Sequence, residues 1–399
     1  MTEKIENWKS EKFGNIFKTS KGKKSKESSQ NWQKGFLPYL STEYLRRNKM
    51  TEFAKISNDI VLVEDEDLIL LWDGSNAGEF FSGKKGILSS TMVKLQLKDE
   101  NKSSKRFLFY FLKTKEEYLR GQTKGTGIPH VESSILNNFI IPFPPLIEQQ
   151  KIAEILSTVD EAIQKVDSTI ERTKRLKQGL MDELLTKGIG HKEFKDSEIG
   201  RIPKEWRVIK LDDLSLNLIG GGTPSTSNPA FWDGTIPWMT SAYINRRLVT
   251  KGQRNITEEG LKNSATNLIP KENLLITTRV GIGKVAINVI DMAISQDLTG
   301  IIVDKTKSTP DFLYWFFISI ENKLKGLAQG STIKGILREE LGRLKVTLPS
   351  LSEQQKIAEI LTTVDLKIEI EEKRRERLER IKKGLMEELL TGKKRVSVG

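Results

Sequence analysis

Nine consecutive residues, EQQKIAEIL, occupy positions 148–156 and recur at 353–361, 205 positions later. The match continues without a gap through TVD (158–160 and 363–365) to GLMDELLT (179–186) and GLMEELLT (384–391). From Glu148/Glu353 to Thr186/Thr391, 24 of the 39 aligned pairs are identical. Self-similarity at a fixed period constrains the fold more than any local pattern, because both copies must adopt the same structure. The chain reads as one unit of about 205 residues used twice.

The repeated segment is helical by pattern. In the first copy apolar residues fall at Ile152, Leu156, Val159, Ile163 and Val166, and in the second at Ile357, Leu361, Val364 and Ile368. Alternating steps of four and three make a heptad seam, the pattern of one helix packing along another. Polar residues interrupt the seam further on, at Thr173 and Lys177 in one copy and at Glu371 and Arg375 in the other. Pro145 and Pro349 lie just upstream, Ser352 with Gln355 predicts a capping box, and Gly188 and Gly392 follow the last apolar turn as stops. Each helix is then about 40 residues, roughly 60 Å. The simplest arrangement is an antiparallel pair within one chain, with the globular segments at opposite ends.

Four regions follow: 1–145 globular, 146–190 helical, 191–347 globular and 348–399 helical. Residues 1–145 carry 24 basic and 18 acidic side chains, and residues 191–347 carry 22 and 17. The helical regions carry 7 against 8 and 12 against 10. Of the total net charge of +12, the globular segments therefore hold +6 and +5. A basic excess on two domains and near-neutral helices between them suggests an anionic partner for the domains. Short β-type runs (60–63, 68–72, 273–280, 284–290, 298–304) alternate with helical runs (106–119, 310–324), so each segment reads as a small α/β or α+β domain.

The chain has no cysteine and two histidines, His130 and His191. Disulfides, thiolate metal sites and cysteine nucleophiles are excluded, and no metal site or catalytic residue is expected. No apolar run approaches the roughly 18 residues of a membrane-spanning helix, and the polar start MTEKIENWKSEKF does not look like a signal peptide. A soluble, cytoplasmic protein without membrane partners is expected.

Several motifs carry a family resemblance. They are P-x-L-x-E-Q-Q-K-I-A-E-I-L at each helix entry, the G-L-M-x-E-L-L-T exit, KGIGHKEFKDSEIGRIPKEW (187–206), GGGTPS (220–225), IPW (236–238), R-V-G-I-G (279–283) and the G-S-T loop (330–332). The architecture resembles the specificity subunit of type I restriction–modification enzymes across essentially the whole chain, most weakly over residues 1–120. The resemblance implies an α/β (α+β) fold. Two tandem target recognition domains would be separated by two long conserved helices packed as an antiparallel coiled coil, pseudo-twofold through internal duplication. It implies a non-catalytic subunit whose domains each read one half of a bipartite, asymmetric site on double-stranded DNA. The helices would set the spacer and dock two modification (methyltransferase) subunits, and restriction (translocase-nuclease) subunits would complete the complex. S-adenosylmethionine, ATP and magnesium would belong to those partners, with no cofactor in this chain.

Two paired features nominate DNA-contact residues. The segments PYLSTEYLRR (38–47) and PWMTSAYINRR (237–247) run in parallel, giving Ser41, Tyr44, Arg46 and Arg47, and Ser241, Tyr243, Arg246 and Arg247. Arginine reads guanine or clamps phosphate, and tyrosine can bond phosphate or stack. The Gly/Thr-rich loops supply Thr123, Lys124, Thr126 and His130 in one domain and Ser331, Thr332 and Lys334 in the other. Arg279, before a Gly-x-Gly turn, joins them. The lysine run Lys21, Lys23, Lys24 and Lys26 reads first as a solvated loop. For partner docking, the polar triplets Glu148, Gln149, Gln150 and Glu353, Gln354, Gln355 stand out, because helix pairing does not require them.

Two other classes remain. An autonomous adenine methyltransferase would need an N-P-P-[FYW] tetrad, and Asn228-Pro229-Ala230-Phe231 lacks the second proline. A coiled-coil adaptor that binds only proteins would not place its basic excess on the globular segments. A specificity subunit of a related system with fused nuclease and methylase is the nearer alternative.

Overall fold

The computed structural model describes residues 8–123, 129–328 and 335–397. The repeated segments form two helices, α1 (Leu146–Lys187, 42 residues) and α2 (Leu351–Leu389, 39 residues). The chain divides into two compact units, residues 1–168 with 373–399, and residues 169–372. The division falls inside both helices, so each unit is one globular segment with the first half of one helix and the second half of the other.

In the first unit, strand Lys9–Lys12 pairs antiparallel with Ile140–Phe143. A four-stranded antiparallel sheet is ordered Phe17–Lys21, Met92–Leu97, Leu68–Leu71, Phe80–Ser82. A second sheet is ordered Ser28–Ser29, Phe53–Lys55, Phe36–Leu40, Gly86–Leu88, Leu62–Val63, with Tyr39–Leu40 and Ile87–Leu88 parallel. Helix Lys105–Lys113 starts at Ser104, whose side chain accepts from the Phe107 N–H. Phe107, Leu108, Phe111 and Leu112 of this helix are buried in one cluster with Ile152, Ala153 and Leu156 of α1 and with Leu389 and Leu390 at the end of α2.

The second unit repeats this plan. Arg207–Lys210 pairs antiparallel with Lys345–Leu348. One sheet is ordered Ser215–Gly220, Leu298–Val303, Asn273–Thr277, Val285–Asn288, Leu248–Val249. The other is ordered Arg254–Ile256, Trp232–Met239, Met292–Ile294, Asn267–Ile269. Helix Pro310–Ser319 is capped by Thr309, which accepts from the Phe312 N–H. Phe312, Leu313, Phe316 and Phe317 share a cluster with Ile357, Ala358 and Leu361 of α2 and Met181, Leu184 and Leu185 of α1.

Three expectations need correction. Ile152, Leu156, Ile357 and Leu361 do not form a helix–helix seam alone. They complete the cores of the globular segments, because a short aromatic-rich helix offers each of them more apolar surface than one facing helix could. Val159, Ile163 and Val364 are only half-buried, whereas Val166 and Ile368 are buried as expected of a seam. The cap of α2 is Ser350, not Ser352: the helix starts at Leu351 and the Ser350 hydroxyl accepts from the Glu353 N–H.

Lys177 and Arg375, two of the polar residues on the seam, find partners across it, and neighbouring charges do the same, whereas the Thr173 hydroxyl donates to the Thr169 carbonyl of its own helix. In the first unit Lys382 reaches Asp160 at 2.6 Å and Arg375 reaches Asp167 at 2.7 Å. In the second, Lys174 reaches Glu372 at 2.6 Å and Lys177 pairs with Asp365. The pairs ascend on one helix as they descend on the other, so within each unit the helix halves run antiparallel.

Candidate nucleic-acid interface

Each globular segment builds the same composite surface from a hairpin tip, the end of the Gly/Thr loop and the segment after the proline-containing strand. In the first unit the hairpin between Leu68–Leu71 and Phe80–Ser82 turns through Gly74 (φ +119°) and Gly78 (φ +98°). The Trp72 carbonyl accepts from the Val131 N–H at 3.0 Å, and the Gly74 N–H donates to the Pro129 carbonyl at 2.9 Å. In the second unit the hairpin between Asn273–Thr277 and Val285–Asn288 turns through Gly281 (φ +70°) and Gly283 (φ +94°). There the Thr278 carbonyl accepts from the Ile336 N–H at 2.8 Å. These glycines are needed because positive φ strains any residue with a Cβ. Exposed backbone at such turns can approach a phosphate or a base edge closely.

The two tips differ in charge at the equivalent place. After Trp72 comes Asp73, which accepts from Lys21 at 2.8 Å and forms a β-bridge with His130. After Thr278 comes Arg279, exposed and without a carboxylate partner among the described residues. One scaffold thus presents a neutralised acid in one unit and a cation in the other.

The predicted contact residues divide by burial and by partners. Arg47 is exposed, as are Tyr243 (46%), Arg246 and His130. Neither Arg47 nor Arg246 meets a carboxylate among the described residues. The others serve the fold. Ser41 caps helix Thr42–Arg47 and accepts from the Tyr44 N–H. Tyr44 is buried beneath Lys84, whose Nζ lies 4.8 Å from the ring centroid. Arg46 pairs with Glu79, a hydrogen bond that raises its guanidinium above the ordinary value. Ser241 is buried and donates to Asp297, and Arg247 pairs with Asp311. The Thr123 hydroxyl donates to the Arg120 carbonyl at 2.9 Å. Lys124, Thr126, Ser331, Thr332 and Lys334 lie outside the described residues.

The triplet expectation is overturned for four of its six residues. Glu148 is 1% exposed and accepts from the Trp8 indole N–H at 3.1 Å and from Arg395 at 2.6 and 2.7 Å. Gln149, fully buried, accepts from the Ser104 N–H and donates to the Lys102 and Pro144 carbonyls. Glu353 accepts from the Trp206 indole at 3.0 Å and from the Ile189 N–H at 2.9 Å, and lies 2.8 Å from His191 Nε2. Gln354 accepts from Ser308 and the Thr309 N–H and donates to the Lys307 and Pro349 carbonyls. These side chains are identical in both copies because each fastens a globular segment to its helix. Only Gln150 and Gln355 face solvent.

Known proteins place this arrangement. The family model described as the type I restriction modification DNA specificity domain matches twice, at residues 5–172 and 203–380. The chain belongs to that family. Among its relatives is the type I restriction enzyme MjaVIII specificity subunit of Methanocaldococcus jannaschii, 39% identical over 98% of this chain and 94% of that protein. Another is the putative type I restriction enzyme MjaX specificity subunit of the same organism, 33% identical over 79% of this chain and 74% of the relative. The crystal structure of a type I restriction-modification S subunit from M. genitalium superposes with a TM-score of 0.65 at 17% identity, covering 100% of this chain and 99% of that one, which speaks to the fold. Each match to the specificity-domain model takes in one globular segment and most of the helix that follows. The domain of this family is therefore the repeat unit read from the sequence.

Sequence reasoning missed the residues that hold a specificity domain to its helix. Trp8 and Arg395, with Trp206 and His191, are far apart in the chain and converge only through folding. One signal was present: each segment opens with a tryptophan, and each basic side chain, His191 or Arg395, stands three residues after its stop glycine, Gly188 or Gly392. No helix among the described residues is long and apolar enough to cross a membrane.

Proposed function

We propose that this chain is the non-catalytic DNA-recognition subunit of a type I restriction–modification complex, each globular segment reading one half of a bipartite, asymmetric site. The observation that carries the reading is the double match to a DNA specificity domain on a chain whose helices repeat and whose domains diverge. Two different half-sites require two different reading surfaces, and the Asp73/Arg279 contrast is a difference of that kind. Two separate half-sites also require a fixed spacing, which long helices shared by both repeats are suited to set. The basic excess on both segments supplies phosphate contacts, which position a protein on DNA without specifying sequence.

The complex contains other subunits, and we infer that two copies of a modification subunit dock on the helices. Support comes from exposed residues that are identical in both copies: Gln150/Gln355, Lys151/Lys356, Glu154/Glu359 and Thr158/Thr363. Helical periodicity sets them on one stripe of each helix. Unlike Glu148 or Gln149, they make no side-chain hydrogen bond or ion pair to a globular segment among the described residues that would explain their identity. S-adenosylmethionine, ATP and magnesium would be bound by modification and restriction subunits, and the complex would act in the cytoplasm.

Methylation mapping of DNA from a host co-expressing this chain with its modification subunit tests the reading. A bipartite motif with two unlike halves is expected. Replacing residues 1–145 by another domain should change one half and leave the other. A change in both halves, or methylation by the chain alone, overturns it.

A further inference from the structure

Of the seven tryptophans, six are buried or half-buried and one, Trp32, is 68% exposed. The second unit shows what the fold does with a tryptophan at the start of the corresponding strand. Trp232 opens strand Trp232–Met239, the counterpart of Phe36–Leu40, since both pair antiparallel on one side and parallel on the other. Trp232 is 6% exposed, its indole N–H donates to the Ser225 carbonyl at 3.0 Å, and it packs edge-on against Trp238 at 5.2 Å. The Arg254 guanidinium covers its ring at 4.0 Å.

Among the described residues none of these devices exists around Trp32. Arg254 faces Trp238 in the strand register, whereas in the first unit Tyr39 faces Glu52. The Trp32 loop is nonetheless ordered. The Ser29 hydroxyl accepts from the Asn31 N–H at 3.1 Å and from Gln33 Nε2 at 3.2 Å, and the Phe36 N–H donates to the Gln33 carbonyl at 3.0 Å. A large apolar ring held out in water by a fixed loop contributes nothing to the core. Its neighbours in the chain are cationic: residues 21–34 hold five lysines against one glutamate, and Lys23, Lys24, Lys26 and Lys34 are exposed, with Asp59 as an acid near Lys23 and Lys26. Glu27, the one acid of that stretch, is paired with Lys55 at 2.8 Å.

We propose that Trp32 is a DNA-contact residue of the first domain, its indole lying against a base or deoxyribose face while the flanking lysines hold phosphates. Apolar side chains set among cations act on DNA in this way, adding sequence-tolerant stacking or a wedge at a base step to the electrostatic attraction. The proposal rests on the DNA-recognition reading above. It joins to one side chain a lysine run that reads from the sequence first as a solvated loop, with non-specific phosphate contact as the alternative.

The test uses the full chain in complex with its modification subunit, the duplex site found by methylation mapping, and a duplex with the first half-site scrambled. W32A should weaken binding to the site by about tenfold. W32F should keep most of the affinity, and neither variant should shift the unfolding midpoint or the slope of log K against log salt, because no phosphate contact is lost. Site binding by W32A within twofold of the unmodified chain overturns the proposal, as does a lowered unfolding midpoint, which would make the residue structural. Loss of the modification subunit on co-purification of W32A also overturns it, in favour of a protein-facing role. If the unmodified complex binds site and scrambled duplex equally, the DNA-recognition reading itself fails and takes this proposal with it.

Discussion

Lys382 on α2 meets Asp160 on α1 at 2.6 Å and lies 5.5 Å from the ring centroid of Tyr110, whose hydroxyl donates to the same carboxylate at 2.7 Å. Every member has a counterpart 205 positions away in the other unit. Lys177 pairs with Asp365 and lies 5.3 Å from the ring of Trp315. The duplication thus extends from backbone to a three-residue lock, in which the cation always comes from the second half of one helix and the acid from the first half of the other. Burial, with the Asp160 hydrogen bond and charge, pushes the Tyr110 hydroxyl well above its ordinary range, so it stays a donor.

Reversing one charge of this lock should destabilise the first unit modestly. Asp160 and Lys382 remain about a quarter exposed, so the coupling is on the order of 1 kcal/mol. In a double-mutant cycle by chemical denaturation, D160K and K382D should each lower stability and the double variant should recover part of the loss. A coupling of zero would show that the pair sets geometry without adding stability.

The two Trp–Glu fastenings should respond unequally to loss of Arg395 and of His191. R395A leaves the Glu148 carboxylate buried with only the Trp8 N–H, and a buried charge stripped of its partner costs about 3–5 kcal/mol. H191A leaves Glu353 with both the Trp206 and Ile189 N–H groups, so the loss should be about 1 kcal/mol. Urea unfolding of the full chain would rank them. R395K should fall between, because lysine cannot make the two-pronged contact.

Arg279 and Arg247 should separate recognition from folding. R279A removes an exposed cation, so stability should stay within about 0.5 kcal/mol of the parent. DNA affinity should fall, with the salt slope reduced by about 1 if the contact is to phosphate. R247A leaves Asp311 without its partner and should lower the unfolding temperature first. Thermal unfolding and DNA binding measured on both variants decide the matter.

Acid should erase one contribution to the first unit. Burial disfavours ionisation of Asp67, but hydrogen bonds from Lys94, the Glu64 N–H and Lys105 outweigh it and hold the carboxyl below its ordinary value. A depressed carboxylate stabilises the fold above the unfolded-state pKa of about 3.9, and the contribution is lost as pH falls through the folded-state value. D67N should therefore be less stable at neutral pH, and its deficit should narrow below about pH 4. Denaturant midpoints recorded from pH 7 downward would show the convergence. A deficit independent of pH would assign the effect to packing.

Substitution in the exposed stripe should act on assembly alone. Reversing Glu154 and Glu359 together should leave the unfolding midpoint unchanged and weaken recovery of the modification subunit in co-purification. Changing one of the two should remove one partner copy. Full stoichiometry in the double variant would move docking off this stripe.

The sequence by itself determined the architecture. A nine-residue identity at a fixed distance and a period of 3.5 specify two equal helices, and segment-wise charge distinguishes the domains from their scaffold. These are properties of neighbouring residues or of counting, and they survive without coordinates. The structure decided which polar residues are free to act. Glu148 and Gln149 look like surface because their types are polar, yet Trp8, Ser104 and Arg395 arrive from 45 to 247 positions away to bury and satisfy them. Arg46 and Arg47 are adjacent and chemically alike, but only Arg46 has Glu79 opposite it. Trp32 and Trp232 both stand at the approach to corresponding strands, and only the side chains brought in by folding leave one in water and seat the other. A side chain's availability is set by what long-range contacts place beside it, and no local pattern encodes that.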